Sequence, residues 1–149
     1  MATLSPNLEV PVGRVDTALT VTNTIDQERA DAGEIAPAAV RSVTLDGVLV
    51  DTGATFLSFP ADLIARLGLR VLRDLTISTA AGPQRARLFR NAELTVLGRR
   101  ATADVLELPA GTQPLLGVIP LEALGLEPDL AARRLRLLPD GPMDTYVTA

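Results

Sequence analysis

Polar and apolar positions change rhythm repeatedly along this chain, and each change marks the edge of an element. Residues 8–24, LEVPVGRVDTALTVTNT, are rich in Val and Thr and partly alternate, which predicts one or two strands. Pro11 and Gly13 interrupt the first of these, so it reads as an edge strand or an arm. Residues 25–38 lose the pattern to charge, Gly33 and Pro37, and predict a surface loop with at most one helical turn. From 39 to 52 the order VRSVTL, Asp46-Gly47, VLVDT predicts a β-hairpin turning on Asp-Gly. PADLIARL then carries apolar residues at helical spacing between Pro60 and Gly68, which predicts a short helix over 60–67. The runs 69–79 and 84–97 flank Ala80-Ala81-Gly82-Pro83 and predict a long hairpin with an exposed tip. Gly98-Arg99-Arg100 turns the chain into ATADVLEL, and a second apolar run ends in Leu115-Leu116-Gly117. Pro120 opens another short helix that closes near Gly125, and LAARRLRLLP reads as a strand or a strand pair.

An echo runs through this order. An apolar run, a Gly, a Pro-initiated helix and Leu-Gly-Leu occur at 48–69 and again at 115–126. The alternative is coincidence in a Leu-rich chain.

Composition narrows the chemistry more than the fold. A chain of 149 residues, 47% hydrophobic, is expected to form one domain over 1–149 that buries about two-thirds of its unfolded surface. Its core is expected over about 8–138, followed by a polar tail at 139–149. The chain has no His, no Cys and no Lys; all 14 basic residues are Arg. That excludes Ser-His and Cys-His nucleophiles, ordinary zinc sites, Schiff bases and P-loop lysines. Carboxylates, hydroxyls and backbone amides are left to do the work. A net charge of −4 argues against nucleic acid as a partner. No basic and apolar leader opens the sequence, and no apolar run reaches the length of a membrane span, so a soluble, cytoplasmic protein is expected.

Two charged clusters invite ligands. Asp26, Glu28, Asp31 and Glu34 could form a calcium or magnesium site, but their spacing lacks the rhythm of a calcium loop, and a solvated acidic loop is the better reading. Arg85, Arg87 and Arg90 could attract an acidic ligand, yet such residues more often lie on a hairpin's solvated face.

One acid is different. Val48-Leu49-Val50 is a buried-strand pattern that delivers a carboxylate, Asp51, followed at once by Thr52, Gly53, Ala54 and Thr55. A carboxylate at the end of such a strand needs partners or a role. One carboxylate alone is a poor catalyst of amide hydrolysis. Two facing each other at about 3 Å cannot both ionise, and they share a proton that lets one activate water while the other polarises a carbonyl.

Val50-Asp51-Thr52-Gly53-Ala54-Thr55 resembles the active-site loop of retropepsin-like aspartic proteases. Leu115-Leu116-Gly117 resembles their second motif, and the hairpin tipped at Thr79, Ala80, Ala81 and Gly82 stands where that family has its flap. The resemblance covers about 39–138 and is nearest to the small single-domain prokaryotic members. It implies an all-β protomer, a closed acid-protease barrel with one or two short helices. It also implies a homodimer whose two Asp51 residues form the catalytic dyad on the two-fold axis. Thr52 would bond across that axis, Gly53 and Ala54 would line the floor, and the flap would close over an extended peptide. No cofactor and no metal are called for. The chain departs from the family in a Gly-poor flap stiffened by Pro83, a longer 25–38 loop, and Thr55 where many viral members have Asp. Beside the endopeptidase stand two other readings: a peptide-binding or dimerisation module on the same fold, and a purely structural Asp51 capping a backbone amide.

Overall fold

The computed structural model describes residues 14–139. Its strands are β1 (Asp16–Asn23), β2 (Ser42–Val50), β3 (Leu57–Pro60), β4 (Arg70–Thr79), β5 (Gly82–Val96), β6 (Arg99–Leu108), β7 (Leu115–Leu116), β8 (Leu126–Asp129) and β9 (Arg134–Leu137). The helices are α1 (Thr24–Asp31), α2 (Ala61–Leu67) and α3 (Val118–Leu124), with a 3-10 turn at Pro37–Ala39. The fold is mostly β, as expected, with one helix more than expected. Pro11, Gly13 and the tail beyond 139 lie outside the described residues.

Seven strands form one sheet in the order β1-β2-β7-β3-β6-β5-β4, and β1 pairs a second time with β5. β5 makes this possible by its length. Residues 82–90 pair with β4, while 92–95 pair with β1 and 88–96 with β6. Strand alternation supplies the core: Leu19 and Val21 from β1, Leu94 and Val96 from β5, Leu57 and Phe59 from β3. Leu63, Ile64 and Leu67 of α2 and Leu121 and Leu124 of α3 close it, each side chain contributing about 1.5–3 kcal/mol of burial.

The hairpin expected at 39–52 is one continuous strand. β1 is the partner of all of β2, so Asp46 and Gly47 need not reverse the chain. They form a bulge instead: Thr17 faces Val48 and Leu19 faces Leu45, leaving both opposite Ala18. Gly47 at φ 66° takes the left-handed angle such a bulge requires. An Asp-Gly pair marks a bulge as readily as a turn when a partner strand runs past both sides of it.

The second correction is α1, where a loop was expected. Asn23 caps it by accepting a hydrogen bond from the Asp26 N–H at 3.0 Å. Asp26 is buried and takes both a bidentate pair from the Arg41 guanidinium (2.8 and 3.0 Å) and the Arg41 N–H (3.0 Å). The Arg41 hydrogen bond holds the Asp26 carboxyl down from 3.8 to about 2, against the opposing effect of burial. Asn23 also donates to the Leu67 carbonyl at 2.8 Å, tying α1 to the end of α2.

Both predicted helices are present. α2 follows directly on Pro60 and ends on left-handed Gly68, and α3 ends on left-handed Gly125. α3 starts two residues before Pro120, where a missing N–H costs nothing because the first turn's donors have no helical acceptor. The sequence echo is visible here: an Arg guanidinium covers each closing glycine, Arg41 over Gly68 and Arg99 over Gly125. Arg99 donates to the carbonyls of Leu124 (3.2 Å), Gly125 (2.6 Å) and Leu138 (2.5 Å). The last strand-like run, 130–139, holds one strand, β9, which pairs with β8 just upstream of it.

Candidate active site

β2 carries the chain to Asp51 through the middle of the sheet. Leu49 and Val50 pair in parallel with Leu115 and Leu116, and the Asp51 N–H continues the ladder by donating to the Leu116 carbonyl at 3.0 Å. The strand then breaks into a tight turn, closed by the Ala54 N–H on the Asp51 carbonyl at 3.0 Å. Within that turn the Gly53 N–H donates to Asp51 Oδ1 at 2.9 Å. A Cβ on Gly53 would stand 3.2 Å from the same oxygen, so glycine leaves the carboxylate its place.

The two motifs meet in the fold. Leu115 pairs with Leu49 and Ser58, Leu116 is fully buried, and Gly117 lies against the loop after Asp51. A Cβ on Gly117 would come within 2.4 Å of the Phe56 carbonyl oxygen and 2.6 Å of that of Ala54. No side chain fits. The first turn of α3 uses its spare donors here: the Val118 N–H binds the Ala54 carbonyl at 2.9 Å and the Ile119 N–H that of Thr55 at 3.0 Å. Asp51 is partly exposed, and Thr52, Gly53 and Thr55 are exposed. Among the described residues Asp51 forms no ion pair.

A cleft of about 430 Å³ adjoins this loop. Gly53, Ala54, Thr55 and Phe56 form one wall, Leu75–Ser78 of β4 another, and Ser58, Leu106, Leu108 and Leu115 the rest. The β4–β5 hairpin therefore stands over the cleft, but the expected tip residues do not line it. Its turn is two residues, Ala80 and Ala81, because Thr79 already pairs with Gly82. Thr79 ties the tip, donating to the Gly82 carbonyl at 2.7 Å and accepting from the Ala81 N–H at 3.2 Å. Sequence reasoning missed Leu75 and Ile77, whose alternation with Thr76 and Ser78 was the available signal.

Most members of the charged clusters are paired within the fold. Asp26 is spent on Arg41, Asp31 accepts from Gln27, and Glu34 pairs with Arg29. Arg85 pairs with Asp74 and Arg87 with Glu107, both on the outer side of the hairpin. Among the described residues no helix is long and apolar enough to cross a membrane.

A family model described as aspartyl protease matches residues 36–118, more than half of the chain. The match runs from ahead of β2 to the first residue of α3 and takes in both Asp51 and Gly117. No curated protein matches the chain.

Proposed function

The chain belongs to the aspartyl protease family, and from that premise we propose that it is a homodimeric endopeptidase working through an Asp51 dyad. The observation that carries this reading is Asp51 itself, its carboxylate held by the Gly53 N–H on an open loop beside a cleft, with no cation among the described residues to neutralise it. One chain offers one such acid, so a pair requires a second copy about a two-fold axis. The second β1 pairing returns the sheet's ladder to β5, and we read that return as the closed barrel of the family.

In the proposed cycle the two Asp51 carboxyls share one proton. The ionised member takes a proton from a water, whose oxygen attacks the scissile carbonyl carbon. The protonated member hydrogen-bonds the carbonyl oxygen as it becomes a hydroxyl. The dyad then gives a proton to the amide nitrogen while one hydroxyl of the gem-diol returns its proton to the dyad. The C–N bond breaks, a carboxyl group forms and the dyad is left in its one-proton state. Thr52 reaches its counterpart across the axis, Gly53 and Ala54 floor the cleft, and the β4–β5 hairpin pairs with the extended substrate. These steps need no metal and no cofactor.

Wild-type protein at dimer-forming concentration should cut members of a peptide library at about pH 4–6, and Asp51→Asn should cut none while remaining folded. Sedimentation should show a dimer in both. A monomer at tens of micromolar, or equal cleavage by the Asn variant, would overturn the dyad. The Thr79 tie and Pro83 stiffen the hairpin tip and favour a second reading, a peptide-binding module without hydrolysis. Binding without cleavage across the pH range would establish that one instead.

A further inference from the structure

β3 is buried along its whole length, Leu57-Ser58-Phe59-Pro60, yet only its hydrophobic members have an obvious reason to be. Leu57 and Phe59 face the core, so strand alternation turns Ser58 to the opposite side. That side borders the cleft beside the Asp51 loop, and the ladder partners of Ser58, Leu106 and Leu115, line it too. Ser58 is 2% exposed and its hydroxyl has no hydrogen bond among the described residues. The one polar side-chain atom both sealed and unpartnered among those residues is Asn91 Oδ1. The Ser58 hydroxyl is therefore unpartnered but not sealed: it opens on the cleft.

An unpaired hydroxyl at the foot of an aliphatic subsite discriminates. An apolar side chain seated there would strip water from the hydroxyl and leave it unsatisfied. A side chain with a hydrogen-bonding tip would satisfy it. We propose, building on the protease reading above, that Ser58 sets specificity at this subsite. The preferred substrate places there a neutral side chain with an apolar stem and one hydrogen-bonding group, of the Thr or Asn kind, over the isosteric Val or Leu.

The test uses peptides that differ only by Thr/Val or Leu/Asn exchange at each position flanking the cut. Wild type should favour the polar isostere at one position by about five- to tenfold in kcat/KM, the worth of one net hydrogen bond. Ser58→Ala should bring that ratio to about one or below. An equal ratio in the two proteins overturns the proposal. The same peptides are also titrated calorimetrically against Asp51→Asn, with Ser and with Ala at 58, so the preference is read without hydrolysis. Absence of cleavage with the binding preference intact then counts against the protease reading alone. Binding that ignores residue 58, or no binding at all, overturns the specificity proposal.

Discussion

Gly117 shows how much one missing side chain can decide. Its neighbours are two backbone carbonyls, which cannot swing aside as a flexible side chain would. Gly117→Ala should cost about 3 kcal/mol and lower the melting temperature by roughly 6–12 °C, measured by calorimetry. Gly53→Ala is the contrast. Its Cβ would crowd only Asp51 Oδ1, so the melting temperature should hold while cleavage falls. A large thermal loss at Gly53, or none at Gly117, would show that the loop is held some other way. At this scale the site was legible: an acid after a buried strand, small residues after it, and a Gly after a second apolar pair. Ser58 was not, because burial of a serine depends on which face of β3 meets the cleft.

At the scale of elements, legibility depended on whether the signal was local. α2, α3 and the β4–β5 hairpin are bounded by Gly and Pro, and their positions followed from residues within each segment. The Asp46-Gly47 bulge did not, because its meaning is set by β1, more than twenty residues upstream. α1 was hidden for the same reason. Its sequence is polar all round, and what anchors it is Arg41, which lies beyond the helix. That anchor makes a pH prediction. The Asp26 pKa is lowered on folding from 3.8 to about 2, so its contribution is complete above about pH 4 and fades as pH falls toward 2. Arg41 is half exposed, so solvent screens part of the pair. Wild type should exceed Asp26→Asn by about 1–2 kcal/mol in unfolding free energy at pH 7, converging below about pH 2. Denaturant melts across pH would show it, and a constant gap would mean that the loss does not come from the charge on Asp26. At the pH proposed for catalysis this tie stays ionised.

For the whole molecule, the order in which strands pair is the property least visible in the sequence. Nothing local says that β3 lies between β7 and β6, or that β1 meets β5 as well as β2. Alternation identified strands, but only closure of one core around Leu19, Phe59, Leu94 and Leu116 sorts them. That sorting has a consequence for chain continuity. The Ala80-Ala81 turn divides the chain so that β1, β2, β3 and β4 precede it and the remaining strands follow. The pairings β1–β5, β2–β7, β3–β6, β3–β7 and β4–β5 all cross that divide. Residues 1–80 and 81–149, expressed together as separate polypeptides, should therefore find each other and copurify with the far-ultraviolet spectrum of the intact protein. Fragments that remain apart would mean that the peptide bond at the tip is itself needed for assembly. On the strand pairing seen here, hydrogen-bonded ladders hold the halves together without their covalent link.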